Sequence, residues 1–339
     1  LIARIPQFSI PSPAVAEVNG NLFIVGAYGA GLNYLIYDGV TVDLVPLPIP
    51  DGETVSTIPM ITDLPPAVGA TRNVLVGSTA GNIFSATLES RPTIQKKFST
   101  GIGSEVVGIT EQQNLTYWLV NDATGKYQLY FNNSEIHSGT GRAVRFILAP
   151  SKSNAAQFAI LILENNELSG THRYRLELLT SSESTNPSPS GTFAPASVKW
   201  AQMNSVRFTS TYRITHLASA DLKKDGNSYI LLNRDGVLEA YNFNGAKADQ
   251  FPIIPGVKSL AMNPVAADFE GDDKSEVIVV SAGGDVYAYD GGTGRIVNGF
   301  PVTGGSALTA PPALLNNNGK IAMVTLSNAG VMTGWELGS

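Results

Sequence analysis

GGDVYAYD, at Gly283–Asp290, recurs along this 339-residue chain, and the recurrence indicates the fold class. A near copy, DGVLEAYN at Asp235–Asn242, precedes it by 48 residues, and AGVMTGWE at Ala329–Glu336 follows at an offset of 46. A fainter copy, AGNIFSAT, occupies Ala80–Thr87. Each copy has a turn, a short alternating strand, and a small residue before an aromatic or polar one. A repeat of this length is typical of four-stranded propeller blades.

Seven repeat units are counted from the predicted openings of their innermost strands, near Ala14, Ile58, Glu105, Ala143, Thr215, Met262 and Leu308. We therefore predict an all-β fold, a seven-bladed β-propeller of four-stranded antiparallel blades in one domain over residues 1–339. The last unit ends without an outer strand, so we expect the N-terminal strand ARIPQFSIP to close the last blade and remove a free sheet edge. An eighth blade hidden in Ala194–Tyr212 is the alternative. The Ser/Pro-rich segment around residues 180–193 predicts a flexible insertion.

The composition excludes several classes of function. Charged residues make up 15% of the chain and the net charge is −6, which disfavours binding to a nucleic-acid backbone. No apolar run reaches the roughly 18 residues of a membrane span, so no transmembrane segment is expected. The chain has no cysteine, which excludes disulfides, thiolate zinc sites and cysteine nucleophiles.

An acidic loop, ADFEGDDKSEVIVV at Ala267–Val280, precedes a β-branched strand. Alternate side chains on a tight loop can converge on one point, and calcium takes six to eight oxygen ligands in flexible geometry. The predicted ligands of a structural calcium ion are the carboxylates of Asp268, Glu270, Asp272 and Glu276 and the backbone carbonyl oxygen of Lys274. A solvated turn without an ion and a catalytic carboxylate cluster are the alternatives.

The same loop recurs in weaker form one unit upstream. Asp221 aligns with Asp268, and Tyr229 stands where Glu276 would close the shell. We expect this loop to hold no ion, with Lys223 pairing instead with Asp221 and Asp225. In the next unit Leu314 replaces the first acid altogether. A motif that decays across copies favours a structural role over a catalytic one.

The two loops resemble the calcium-binding segments of FG-GAP/VCBS-type propeller repeats, an integrin-alpha-like family. The following GDVYAYDGGTGRIVNGFPV is similar to the outer half of such blades, and also resembles quinoprotein-type repeats. The resemblance is good over Thr215–Gly305, although Glu270 stands where the family usually has Asn or Asp. It implies an extracellular or cell-surface propeller that serves adhesion or binding, with calcium as a scaffold ion.

Two functional classes follow. The first is a non-catalytic, secreted or cell-surface module that binds a protein or glycan partner through its propeller loops, within a larger surface assembly. The second is a propeller enzyme, either a polysaccharide lyase or hydrolase or a quinone-dependent dehydrogenase.

A hydrolase needs two acids facing one pocket, and candidates near strand ends are Asp63, Asp122, Asp221 and Asp268. Trp118 and its neighbours Tyr117, Tyr127 and Tyr130 form either blade core or a sugar-stacking platform. The three histidines, His137, His172 and His216, are too widely separated in sequence to predict a zinc site.

Overall fold

The computed structural model describes residues 14–28, 30–62, 72–100, 104–112, 115–131, 134–149, 155–166, 170–184, 200–214, 217–255, 264–308, 311–317, 320–329 and 331–337. These residues form seven antiparallel sheets in which consecutive strands are neighbours. Within the described ranges, helix is limited to one 3-10 turn at Pro50–Gly52. The fold is a seven-bladed β-propeller, as the repeat predicts.

The strands divide among the blades in chain order. Blades 1 and 2 contain β1 (Ala14–Val18), β2 (Asn21–Tyr28), β3 (Gly31–Tyr37), β4 (Val42–Pro48), β5 (Met60–Ile61), β6 (Asn73–Gly77), β7 (Asn82–Thr87) and β8 (Ile94–Ser99). Blades 3 and 4 contain β9 (Glu105–Gln112), β10 (Leu115–Asn121), β11 (Lys126–Phe131), β12 (Ser134–Thr140), β13 (Arg142–Ala149), β14 (Ala155–Asn166), β15 (His172–Ser184) and β16 (Trp200–Ser210). Blades 5, 6 and 7 contain β17 (Ala218–Ala220), β18 (Tyr229–Arg234), β19 (Val237–Asn242), β20 (Val265–Ala267), β21 (Glu276–Val280), β22 (Asp285–Asp290), β23 (Val302–Thr303), β24 (Ala313–Asn317), β25 (Lys320–Leu326) and β26 (Met332–Leu337).

Two blades have three strands among the described residues, and the other five have four. In blade 5 the outer position is an isolated bridge, in which Leu238 and Ile253 exchange two backbone hydrogen bonds of 3.0 Å. In blade 7 the outer position is predicted for the N-terminal strand, which lies outside the described residues.

The predicted blade boundaries agree with the observed ones. Each innermost strand begins within five residues of its predicted opening. The eight-blade alternative is wrong, because β16 is the fourth strand of blade 4 and pairs with β15 from His172 opposite Ser210 to Ser181 opposite Trp200. Residues 180–184 of the predicted flexible insertion are the end of β15, where Ser184 pairs with Ala155, so this part of the prediction is wrong. The rest of the insertion lies outside the described residues.

The chain divides into two compact units. The first comprises residues 1–146 and 187–197 and contains blades 1 to 3; the second comprises residues 147–186 and 198–339 and contains blades 5 to 7. In the first unit the side chains of Tyr117, Trp118 and Tyr127 are each only 1% exposed, and Trp118 stacks on Phe98 with ring centroids 4.7 Å apart. These aromatic residues are therefore blade core, and the sugar-platform alternative is wrong for them.

In the second unit, strand β21 is buried on both faces. Val277 and Val279 pack into the core shared with blade 5, whereas Ile278 and Val280 pack into the core shared with blade 7. This double burial explains why VIVV, at residues 277–280 of the strand, is a continuous apolar run rather than an alternating one. It also fixes the position of Glu276, the first residue of the strand.

Blade 5 contains a buried carboxylate that is fully paired. Glu239 is 0% exposed and accepts hydrogen bonds from Arg234 Nη2 at 2.6 Å, Lys247 Nζ at 2.8 Å and Tyr241 Oη at 2.9 Å. Burial by itself raises the pKa of Glu239, but the bonds from Lys247 and Tyr241 and the charge of Arg234 outweigh it and hold the pKa below its ordinary value.

Tight turns join the second and third strands of the blades. In blade 5, Asp235 adopts a φ of 54° and its Oδ1 accepts a hydrogen bond of 2.9 Å from Ser210 Oγ in blade 4. In blade 6, Gly284 adopts a φ of 94°, and a Cβ there would lie 1.9 Å from the carbonyl oxygen of Ser306. Only glycine fits that position without displacing backbone.

Candidate cation site

The loop between β20 and β21 is folded around the side chain of its first acid. Asp268 Oδ1 accepts hydrogen bonds from the backbone N–H groups of Gly271 at 2.6 Å and Asp272 at 3.2 Å. Its Oδ2 accepts a bond from the N–H of Asp273 at 2.7 Å. Short acidic side chains favour such local bonds, and positive φ angles of 75° at Gly271 and 64° at Asp273 close the turn.

Glu276 closes the loop from the first position of β21. Its side chain is 0% exposed, and its Oε2 accepts bonds from the backbone N–H groups of Phe269 at 2.8 Å and Glu270 at 3.3 Å. The other oxygen, Oε1, is buried and has no hydrogen-bond partner. Burial raises the pKa of Glu276 to about 7, because the ionised form loses hydration there.

Three of the five predicted ligands converge. Asp268, Asp272 and Glu276 each offer one carboxylate oxygen, and these oxygens lie within 4.8 Å of one another. The backbone N–H of Lys274 donates a hydrogen bond of 2.9 Å to Asp272 Oδ1, and the Lys274 ammonium group donates one of 2.5 Å to Asp272 Oδ2. The ammonium bond is the main reason that the pKa of Asp272 lies below its ordinary value.

The other two predicted ligands have different surroundings. The side chain of Glu270 is exposed and is not one of the three that converge. Its backbone N–H points to Glu276, and its side chain lines a neighbouring groove. Lys274 contacts the cluster through its ammonium group, and its carbonyl oxygen stays a predicted ligand.

The loop of blade 5 has the same backbone design without the closing acid. Asp221 Oδ2 accepts a bond of 2.8 Å from the N–H of Gly226, which matches the bond from Asp273 to Asp268. Positive φ angles recur at Lys224 and Gly226, with values of 58° and 74°. The position of Glu276 is taken by Tyr229, which is 6% exposed. The turn is therefore common to both loops, and the buried Glu276 is what distinguishes the loop of blade 6.

The predicted partner of Lys223 is wrong. Its ammonium group pairs with Asp249 Oδ2 at 2.8 Å, not with the carboxylates of Asp221 and Asp225, and lies 5.9 Å from the centroid of the Tyr229 ring. Asp221 is occupied by backbone N–H groups of its own loop. The long lysine side chain therefore extends to the outer part of blade 5, where Asp249 offers an exposed carboxylate.

The two loops are also bound to each other. The N–H of Ser275 donates a 2.9 Å bond to the carbonyl oxygen of Asp221, and Lys224 forms an ion pair with Asp273. In blade 7 the equivalent residue Leu314 lies in strand β24 and packs against the apolar core. The acidic loop thus stabilises the junction between blades 5 and 6.

The other candidate catalytic groups are not assembled in the described residues. Asp122 Oδ1 accepts bonds from the N–H groups of Thr124 at 2.8 Å and Lys126 at 3.0 Å within its own turn. A cavity of about 360 Å³ beside it contains an ion pair of 3.0 Å between Glu105 and Arg142. Asp63 and His216 lie outside the described residues, and the remaining two histidines, His137 and His172, lie on β12 and β15.

Comparison with known proteins identifies the fold alone. No protein-family model and no curated protein matches the chain. The structure is similar to that of BBS1N in complex with ARL6DN, with a TM-score of 0.60 at 13% identity over 99% of this chain and 94% of that chain. It is also similar to Sqt1 of Saccharomyces cerevisiae, with a TM-score of 0.60 at 14% identity over 93% and 81% of the two chains. These neighbours are β-propellers. Among the described residues, no helix has the length and hydropathy needed to cross a bilayer.

Proposed function

We propose that the chain is a non-catalytic propeller module of FG-GAP/VCBS type that binds a protein partner, and that a calcium ion in the Asp268 loop stabilises it. The observation that carries the proposal is the buried carboxylate of Glu276, whose Oε1 lacks a hydrogen-bond partner and which offers one oxygen within 4.8 Å of carboxylate oxygens of Asp268 and Asp272. A buried charged oxygen without a partner is costly. A cation between the three carboxylates would remove that cost.

Calcium suits this arrangement better than other ions. Two oxygens bound to one calcium ion at about 2.4 Å lie at most about 4.8 Å apart, and the converging oxygens of Asp268, Asp272 and Glu276 meet that limit. All three donors are hard oxygens, which disfavours zinc and copper. The ammonium group of Lys274 would be displaced, and its side chain is 36% exposed, so it can move into water.

The affinity expected of this site bears on the compartment. One of the three carboxylates is already paired with Lys274, so a calcium ion must compete with an internal cation. Sites of low affinity, with dissociation constants of about 10⁻⁴ to 10⁻³ M, are typical of extracellular modules. A secreted or cell-surface location is therefore part of the proposal, in agreement with the family that the loop resembles.

A protein partner is favoured over a reaction. Propeller loops present broad surfaces for binding, and BBS1N, a structural neighbour of this chain, was crystallised in complex with ARL6DN. Three of the four candidate catalytic acids, Asp122, Asp221 and Asp268, accept hydrogen bonds from backbone N–H groups of their own turns. Membership of a larger surface assembly follows from the same proposal.

Isothermal titration calorimetry with calcium chloride tests the cation site. We expect one ion per chain with a dissociation constant of about 10⁻⁴ M, and loss of binding in Asp272→Asn. The matched control is Asp225→Asn, which changes the same loop position in blade 5 and should leave binding intact. Absence of any heat of binding up to about 10 mM calcium, which is about ten times the weakest dissociation constant typical of such sites, would refute the site.

Robust turnover of a polysaccharide or an alcohol by the purified protein would refute the non-catalytic assignment.

A further inference from the structure

A groove of about 460 Å³ lies between blades 6 and 7 in the second unit, next to the Asp268 loop. Its size falls in the range of cavities that hold ligands or single side chains of a partner. Phe269 and Glu270 of the acidic loop form one wall, and Trp335 and Glu336 of β26 form another. Phe300, from the connection between β22 and β23, lies between them. The groove therefore joins the proposed cation site to a surface that can bind a partner.

The floor of the groove is apolar and well packed. The rings of Phe269 and Phe300 lie with centroids 6.0 Å apart, tilted by 40°. Phe269 is 8% exposed, and Trp335 is half-buried against the same core. A rigid aromatic floor in a concave site favours insertion of an apolar side chain.

The rim of the groove is acidic. Glu270 and Glu336 are both exposed, and no lysine, arginine or histidine is among the described residues that line the groove. The chain as a whole has a net charge of −6. Charge complementarity therefore selects a partner segment that carries lysine or arginine beside an apolar residue.

The groove and the cation site share one carboxylate. Glu276 holds the backbone of Phe269 and Glu270 through Oε2, at 2.8 Å and 3.3 Å, and one oxygen of the same carboxylate lies within 4.8 Å of oxygens of Asp268 and Asp272. An ion bound to this carboxylate would restrain Glu276 and, through it, the wall of the groove. Because the ion already orders that wall, binding of a partner loses less free energy to ordering it.

We propose that this groove binds a basic segment of a protein partner through an inserted apolar side chain, and that calcium in the Asp268 loop strengthens this binding. The inference rests on the proposed cation site. Calcium also adds positive charge beside the groove, which opposes a basic segment and which salt near 0.15 M weakens, so the proposal requires that ordering of the wall outweighs this repulsion. By thermodynamic linkage, the bound segment must increase the affinity of the loop for calcium by the same factor.

Fluorescence polarisation with a labelled hexapeptide, Gly-Lys-Leu-Phe-Lys-Gly, tests the inference on the intact chain in sodium chloride near 0.15 M. We expect saturable binding below about 1 mM peptide in calcium, and binding at least about fivefold weaker in EDTA, within the usual range of coupling between sites.

Glu270→Gln should weaken binding about threefold, as expected for a rim charge. Trp335→Ala should weaken it about tenfold, as expected for an aromatic anchor. Glu17→Gln, at an exposed acid that does not line the groove, should leave binding unchanged.

The outcomes separate the inference from the function on which it rests. Equal binding of the charge-reversed peptide Gly-Glu-Leu-Phe-Glu-Gly, or displacement of the probe by a neutral oligosaccharide, would overturn the groove assignment. Calcium binding by calorimetry together with peptide binding that EDTA leaves unchanged would overturn the coupling and leave the cation site in place. Because Glu270 is exposed, its substitution keeps the test valid even if the Trp335 variant fails to fold.

Discussion

Calcium should raise the melting temperature of this protein by about 3 °C, and Asp272→Asn should abolish the rise. With a dissociation constant near 10⁻⁴ M and about 5 mM free calcium, the folded state gains about 2.3 kcal/mol, because the ion binds only the folded loop. Unfolding entropy is about 2.1 cal/mol/K per residue, or about 0.7 kcal/mol/K for the 339 residues of the chain. Dividing the stabilisation of about 2.3 kcal/mol by the unfolding entropy of about 0.7 kcal/mol/K gives a rise in melting temperature of about 3 °C.

The assay is thermal unfolding followed by circular dichroism in calcium, in magnesium and in EDTA. Asp272→Asn keeps the size of the side chain and removes one of the three converging charges. Asp225→Asn makes the same change at the matching position of the blade 5 loop, where Tyr229 replaces the closing acid. We expect the first variant to melt at the same temperature with and without calcium, and the second to keep the full shift.

Two results would refute this reasoning. One is a melting temperature that is the same in calcium and in EDTA for the unmodified protein, since the carboxylates would then form an unliganded turn. The other is an equal loss of the calcium response in both variants, because the buried Glu276 would then not be what distinguishes the two loops.

Three further predictions concern the blades themselves. Glu239→Gln should cost about 3 kcal/mol near pH 7 in the free energy of unfolding, since it removes the acid of a buried ion cluster. Because the pKa of Glu239 is lowered by folding, this contribution is present above the ordinary glutamate pKa of about 4.3 and is lost as pH falls further, so denaturant titrations should show the variant and the unmodified protein converging in acid. Asp235→Ala should cost about 1–2 kcal/mol in the same titrations, because it removes charged hydrogen bonds between blades 4 and 5. Gly284→Ala should cost at least about 2 kcal/mol more than Gly20→Ala: both have positive φ, but only at Gly284 would the new Cβ strike the backbone of Ser306. Equal unfolding free energies for the two glycine variants would contradict that account.

The sequence specified the repeat and the form of its loops. Blade openings were predictable because turns, alternating strands and small residues recur locally, and Ala14 and Glu105 begin their strands where the repeat places them. The turn at Asp268 was predictable for the same reason: a short acid bonds backbone groups three to five residues away. These features depend on neighbours in the chain, which the sequence states directly.

The side chains that meet outside their own loops were determined by the tertiary structure alone. Lys223 pairs with Asp249 rather than with acids in its own loop, and Glu270 faces a groove with Trp335 rather than the carboxylate cluster. The end of β15 is strand despite its Ser-rich sequence, because the adjacent strands supply hydrogen-bond partners. Such contacts join residues far apart in sequence, and their energy depends on packing and burial that no local pattern encodes. The repeat therefore determines the blades, and the packing of blade against blade determines where the charge and the groove of this protein lie.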